Sequence, residues 1–444
     1  MKSILPFLKG KKGHYTGFHS VFGKEKASKD HGRKSLGIQL RSVVALVVLT
    51  FLLLLRRSVK WISQNKMKKD PIIKKISIDL LKAALHQPFR TALGDHQDLE
   101  NLLVTCELTN GTQGYGEAAI ATHITAETLP ETYANLKAIS ESLPGRDACD
   151  YLRLSAEWHE RLPDNKSAVA ALEMALADAL MRQWHIPLWK FFGSEPKRLV
   201  SDITIVLADL EETQKSVRQF YRQGFRIFKV KIGRDEDLDL KRVSCVNQIA
   251  PQSPIYLDAN QGYSAMQMLR FIRRLKRAGI QPALIEQPVP QTDWDGLKKI
   301  TREAKIPVCA DESVGSLSDA IRLIQGKAAQ AINIKLMKFG LFQAREIALL
   351  SRAAGIKLMI GGMLESSLAM TAAAHLAAGM GCFSYIDLDT PFFIKKEYDH
   401  NLYATPRRGY DLRKVLKGIG IVPSKAMVRT LSKMSPCAGT PVSV

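Results

Sequence analysis

The sequence is short of the features that mark most cofactor and metal scaffolds. Only six cysteines, Cys106, Cys149, Cys245, Cys309, Cys382 and Cys437, occur in 444 residues. They form no CxxC pair and no regular spacing, which excludes a zinc or disulfide framework. Free thiols in a reducing, cytoplasmic compartment are the reading that remains. No GxGxxG and no GxxxxGK[ST] is present, so neither phosphate cradle is signalled. No uncharged apolar run reaches the roughly 20 residues of a bilayer-spanning helix. What is present is ordinary globular composition, 46% hydrophobic and 24% charged. That excludes a disordered or collagen-like chain. The length suits one large domain or two to three of usual size.

Charge of one sign dominates, with a formal net charge of +21, but it is unevenly placed. Residues 1–70 hold sixteen Lys and Arg against Glu25, Asp30 and Asp70, which leaves +13 there and +8 for the rest. The high pI therefore belongs mostly to a leader and does not argue for a nucleic-acid partner. Within the leader, 42–55 (SVVALVVLTFLLLL) is apolar between Arg41 and Arg56-Arg57. As a helix it would reach about 21 Å, short of a bilayer core. It suits membrane association or a signal-type apolar region, and a start at Met67 instead of Met1 is a third reading. In each case 1–70 stands apart from the catalytic fold.

Residues 71–195 read as antiparallel strands followed by helices, a small α+β domain. Strands are expected at 72–80 and 102–108, with Asn110-Gly111 as a hairpin turn. The clearest helix is 167–183, with Asn165 or Ser167 as its N-cap. From about 196 to 392 the pattern changes. Eight short apolar runs, at 203–206, 226–232, 255–257, 283–285, 307–309, 331–334, 357–360 and 384–386, alternate with amphipathic stretches. This fits α/β architecture, a modified (β/α)8 barrel capped by the N-terminal α+β domain. A doubly wound sheet is the alternative, without its usual glycine-rich loop. Residues 393–423 are expected to pack back on the capping domain, and 424–444 to form a loose tail.

The chemistry lies where these runs end. They close in Lys229-Val230-Lys231, then Asp258, Glu286, Asp311, Lys335 and Asp387-Leu388-Asp389. Successive residues from Lys231 to Lys335 are 24 to 28 apart, one βα unit each. In a barrel these ends converge on one mouth. Three carboxylates meeting there repel one another, so a hard divalent cation, Mg2+, is their natural partner. Lys231 and Lys335 flank the carboxylates as acid/base candidates, with Lys229 in support. A lysine base must be neutral, and burial or a nearby cation depresses its pKa. Lys338 lies past the strand and reads as less important. Thr204 and Glu365 are candidate pocket residues, His375 a packed core residue, and Met359, Met363 and Met370 core or pocket wall.

These residues resemble the enolase superfamily in its muconate-lactonising subgroup. The matching text is KVK (229–231), LDANQGYS (257–264), IEQP (285–288), ADES (310–313) and NIKLMKFG (333–340), with PFRTAL (88–93) and GYGEA (114–118) in the cap. Within the subgroup the sequence is most similar to dipeptide epimerases of the L-Ala-D/L-Glu type, on the strength of DLDTP (387–391). The resemblance implies Asp258, Glu286 and Asp311 as ligands of one Mg2+, and Lys231 and Lys335 as catalysts on opposite faces of the substrate α-carbon. It implies Asp387 and Asp389 as partners of the dipeptide's ammonium, and cap loops around 88–97 and 122–125, with Arg90 and Thr125, as specificity contacts. The implied reaction is epimerisation of the C-terminal residue of a dipeptide by two-lysine proton transfer through a metal-stabilised enolate. A homo-oligomer is implied as well. Muconate cycloisomerisation, o-succinylbenzoate synthesis and a non-catalytic membrane-tethered binding role are the alternatives. Gly94 stands where Ala-Glu epimerases carry an arginine, so the Ala-Glu substrate does not follow, and an apolar or cationic second residue stays open.

Overall fold

The computed structural model describes residues 71–91, 94–193, 195–399, 403 and 409–431. They fall within one compact unit, Lys69–Val444. The apolar stretch 42–55 lies outside the described residues. Among the described residues no helix is long and apolar enough to cross a membrane.

The cap is an antiparallel meander of β1 (Ile73–Arg90), β2 (Asp95–Leu108) and β3 (Gln113–Ala118). Asn110 and Gly111 make the β2–β3 turn. Gly111 takes φ +85°, and the Asn110 Oδ1 accepts from Thr112 N at 3.0 Å, an Asx turn that fits these residue types. β1 and β2 run well beyond the apolar segments expected from sequence. A register shift between Ala84 and Phe89 interrupts the simple alternation, which is why the far arm does not read as strand. The arm carries its tip to the barrel mouth.

Three helices, Leu129–Ser140, Tyr151–Arg161 and Lys166–Gln183, cover the meander. The last is buried along nearly its whole length. It lies so close to β3 that a Cβ on Gly116 would meet Ala171 O at 2.0 Å, so only glycine fits. Its N-terminus is not capped by the Asn165 side chain. Glu127 does this from a distance, its Oε1 accepting from Ser167 N at 3.1 Å.

A two-residue strand β4 (Leu199–Val200) leads into the barrel strands β5 (Ile203–Ile205), β6 (Phe228–Lys231), β7 (Ile255–Asp258), β8 (Leu284–Glu286), β9 (Val308–Ala310), β10 (Ala331–Lys335), β11 (Lys357–Gly361) and β12 (Tyr385–Ile386). All eight expected strands are present, parallel and in sequential order. Asp202 N–H donates to Ile386 O at 3.0 Å, which joins the two ends of the sheet into a ring. Tyr256, Leu284, Cys309, Ala331 and Met359 pack together as its floor. Seven helices cross between the strands. One of them, Leu210–Arg222, is charged enough to escape a hydrophobic reading, although Thr213, Ser216, Val217 and Phe220 bury one face. Among the described residues no eighth α-helix follows β12. A single 3-10 turn, Thr390–Phe392, stands there, so the barrel is the modified kind.

From Phe393 the chain returns to the cap. Phe393 O accepts from His86 N at 2.8 Å, and Lys395 N–H donates to Ala84 O at 3.0 Å. β13 (Gly409–Tyr410) pairs with β4. Ordered structure then extends into the segment expected to be loose. β14 (Val428–Arg429) pairs with β1 at Leu80 and Leu81, and Met427 is buried. The short apolar pair Met427-Val428 suffices to anchor an otherwise polar stretch.

Candidate active site

The strand ends meet as the spacing implies. Lys231 on β6, Asp258 on β7 and Glu286 on β8 stand side by side in register. Glu286 pairs with Cys309, and Asp311 lies two residues further on, just past the end of β9. All three carboxylates are buried. Lys335 closes β10, and Asp387 and Asp389 follow β12.

The ring order fixes who faces whom. β6 and β10 are four strands apart in a ring of eight, so Lys231 and Lys335 come from opposite walls. Asp258, Glu286 and Asp311 occupy one arc between them. Thr204, Asp387 and Asp389 occupy the other. Between the arcs lies a cavity that Lys229, Lys231, Lys335, Thr204, Asp387 and Asp389 all line.

The lysines are drawn onto the acids. Lys231 Nζ is 2.6 Å from Asp258 Oδ2 and 2.9 Å from Asn260 Oδ1. Lys335 Nζ is 2.7 Å from Asp311 Oδ2. Lys229 Nζ sits among Asp258 (3.0 Å), Glu286 (2.9 Å) and Asp387 (2.7 Å). Lys338 is no bystander. It is buried, and its Nζ donates to Asp311 Oδ1 at 2.8 Å and to Asn333 O at 3.0 Å. It stands three residues past Lys335, on the first helical turn, so both reach back over the same strand end.

Electrostatics follow from this crowding. Burial works against the charge on Asp258, but Lys229 and Lys231 outweigh it and hold the carboxyl below its usual range. Lys335 and Lys338 do the same for Asp311. Glu286 goes the other way, pushed up to about 8 by burial and by Asp258. Burial also lifts Asp389 to about 6, aided by Asp387. Burial works against the charge on Lys335, but Asp311, Glu286 and Glu312 together outweigh it and hold the ammonium above its ordinary value. That is opposite to the depression expected for a base, and the reason is the excess of carboxylates around it.

The acid trio fits a hard cation. Glu286 Oε2 and Asp311 Oδ2 are buried oxygens that lie within ion-pair range of lysines yet accept no well-aligned hydrogen bond. Buried carboxylate oxygens are rarely left so, and an all-oxygen donor set suits Mg2+. The strand-end motifs are braced from behind. Gln287, with φ +30°, accepts from Asp311 N at 2.9 Å and donates to Ser313 Oγ at 2.7 Å. Asn333 Nδ2 donates to Glu286 Oε1 at 2.8 Å.

Three other expected contacts lie elsewhere. Arg90 does not line the cavity. Its Nη1 donates to Glu212 at 3.1 Å, fastening the cap arm to a barrel helix. Thr125 lines a neighbouring cavity with Glu127, Glu312 and Lys338. Glu365 is buried behind the wall and accepts from Met363 N at 2.7 Å. Phe89, Ile120, Ile124, Met363, Leu364 and Met370 supply an apolar lining instead. His375 is a core residue, its Nδ1 accepting from Trp189 N at 3.0 Å, and burial lowers its pKa to about 4.

Residues 75–193 match the mandelate racemase/muconate lactonizing enzyme N-terminal domain, and 212–426 match the enolase C-terminal domain-like family. A hydrophobic dipeptide epimerase of Citrifermentans bemidjiense is 47% identical over 352 residues, 78% of this chain and 96% of that protein. An aromatic dipeptide epimerase of Herpetosiphon aurantiacus is 39% identical, covering 72% of this chain and 91% of that one. Among solved structures, a dipeptide epimerase of Enterococcus faecalis complexed with Mg and L-Leu-L-Tyr aligns with a TM-score of 0.74 at 28% identity, over 79% of this chain and 99% of that one. With both domains matched and the strand-end chemistry in place, this chain belongs to the mandelate racemase/muconate lactonizing enzyme family of the enolase superfamily.

Proposed function

We propose that the chain is a Mg2+-dependent dipeptide epimerase acting on dipeptides with apolar side chains. The observation that carries this reading is the opposed pair Lys231 and Lys335, with carboxylates of two different kinds on the arcs between them. A dipeptide laid across the cavity would direct its carboxylate to the Asp258 side and its ammonium to the Asp387 side. Its C-terminal α-carbon then falls between the lysines.

Asp258, Glu286 and Asp311 would hold the Mg2+. When bound, the ion supplies positive charge where negative charge gathers on the substrate carboxylate. One lysine, as the free amine, takes the α-proton from one face. The other, as the ammonium, returns a proton to the opposite face, which inverts the centre. In the reverse direction the lysines exchange roles. Asp387 and Asp389 accept charge-assisted hydrogen bonds from the ammonium and set the register. Lys229 stays charged among three carboxylates and balances them. The apolar lining, with Gly94 among the lining residues, favours apolar side chains. The segment 42–55, apolar between basic flanks, is suited to hold this catalytic body at a membrane surface on the cytoplasmic side.

The test is proton exchange in D2O with Mg2+ and a dipeptide library, read by mass spectrometry. Deuterium should enter the C-terminal α-carbon of apolar dipeptides, and Lys231→Ala and Lys335→Ala should each abolish net epimerisation. Exchange confined to acidic dipeptides would overturn the substrate class. No exchange on any dipeptide, from Mg2+-binding protein, would overturn the activity.

A further inference from the structure

One buried acid in the barrel has no place in the chemistry above. Asp202, the residue before β5, is fully buried, and neither of its carboxylate oxygens meets an N–H or O–H donor. Its oxygens lie within 4.8 Å of those of Asp387 and Asp389, and its neighbour within hydrogen-bond reach is Asp387. The other groups that face it are Asp389, the Lys229 ammonium and the Tyr256 hydroxyl.

Three buried carboxylates this close need cations, protons or both. Lys229 already stands against Asp258, Glu286 and Asp387. Asp389 has its own donor, Thr204 N at 2.5 Å. Asp202 has none of these. Two carboxyl groups bond to each other only when one carries a proton. The more deeply buried member without a cation is the one that keeps it, and burial, followed by Asp387 and Asp389, acts in that direction on Asp202.

We propose that Asp202 is a positioning residue of the ammonium subsite: as a neutral acid it donates a hydrogen bond to Asp387 and holds that carboxylate toward the substrate's N-terminal ammonium. The inference rests on the reading of Asp387 and Asp389 as ammonium partners. It gives the subsite a distinctive balance, with two carboxylates ionised and the third a donor. The floor of the ammonium pocket thus does not add a third negative charge. Asp202 touches no reacting atom and acts only through Asp387.

The test compares Asp202→Leu and Asp202→Asn in the full chain. Leu fills the space without a donor, whereas Asn keeps a donor to Asp387 without an ionisable group. Asp202→Leu should raise KM for a dipeptide by about tenfold or more, in keeping with the loss of one hydrogen bond to a charged group, with a smaller change in kcat. Asp202→Asn should restore most of that loss. An unchanged Mg2+-induced thermal shift would show that both variants fold and load metal. In the infrared, one protonated-carboxyl band of the wild type should vanish in Asp202→Asn, a readout independent of any substrate. If Asp202→Asn is as impaired as Asp202→Leu, or if no such band is lost, Asp202 is ionised and the proposal fails. A wild type that exchanges no dipeptide, with the band still lost in Asp202→Asn, would overturn the epimerase reading and leave the carboxyl pair standing.

Discussion

Three buried carboxylates of the cap and three of the barrel's metal side are put to opposite uses. In the cap, Glu117 accepts from Ser366 N at 2.9 Å and Asn101 Nδ2 at 2.7 Å. Glu173 accepts from Leu341 N at 2.5 Å and Phe342 N at 3.0 Å. Asp178 accepts from Ile419 N at 2.6 Å and Tyr115 N at 3.0 Å. Each crosses from the cap to the start of a barrel helix or to the C-terminal segment, where free backbone N–H groups need an acceptor. In the barrel, Asp258, Glu286 and Asp311 face ammonium groups, and Glu286 Oε2 and Asp311 Oδ2 are left without an aligned donor. Burial is the same in both sets. What separates them is the balance of donors: each cap acid takes a backbone N–H from a distant segment, with Arg182 added at Asp178, whereas the barrel acids lean mainly on lysine ammonium groups.

The largest break in this comparison comes from the barrel set. Glu286→Gln should lower epimerisation by about a thousandfold or more, the scale of losing a major electrostatic stabiliser of the transition state. The same change should not weaken the metal-free fold at neutral pH, because there the carboxyl already holds a proton and glutamine keeps its shape without a charge. Exchange assays and a thermal scan with and without Mg2+ would separate the two effects. A variant with full activity, or one that unfolds, would put Glu286 with the fasteners.

The cap set should show the reverse. Glu173→Ala leaves two backbone N–H groups without their acceptor and Ser155 without its partner. A loss of about 3 kcal/mol is expected from desolvated, unpaired donors. It should appear in denaturant unfolding, while kcat per folded molecule stays near wild type. A large fall in kcat at full stability would show that the cap acid tunes the mouth.

A third expectation uses pH. Glu286 has a folded pKa of about 8, above its unfolded value, so the native state holds the extra proton between roughly pH 4.5 and 8. Stability of the metal-free protein should therefore fall as pH rises through that window. Mg2+ should flatten the slope, since the ion replaces the proton. Asp258 and Asp311 are shifted downward, so their share is lost only in acid. A slope indifferent to Mg2+ would mean that Glu286 does not face the metal.

The two sets also differ in how far they are legible in sequence. Barrel strands are covered on both faces, so they read as short apolar runs, and a polar residue closing each run is conspicuous. The 24 to 28 residue spacing then brings Asp258, Glu286 and Asp311 together. The cap acids are silent, because Glu173 in an alanine-rich helix gives no hint of Leu341, 168 residues away. Arg90 misleads for the same reason. Its sequence neighbours suggest the mouth, but a register shift turns it to Glu212. Asp202 precedes its strand, and only closure of the ring sets it beside Asp387. Lys338 looks like a loop residue until Gly340, at φ +71°, is seen to break the helix after one turn.

Glu365 supplies the finest test, because it belongs to neither set. It is buried and accepts one backbone N–H, from Met363, as a cap acid would. It also stands near Lys335 and Asp387, as a barrel acid would, and burial lifts its pKa to about 8. If it is a fastener, the neutral acid already does its work at pH 7, and Glu365→Gln keeps the same acceptor in the same shape. The variant should then match wild-type activity within about threefold, the cost of a slightly altered hydrogen bond. The sign with pH is fixed: the wild-type carboxyl favours the fold below about pH 4.5 and loses that advantage as pH rises to 8. Glutamine has no such slope, so its stability relative to wild type should rise between pH 5 and 8, with Mg2+ held saturating throughout. A parallel pair of stability curves would mean that Glu365 is ionised at neutral pH, held by Lys335, and so belongs with the acids of the site.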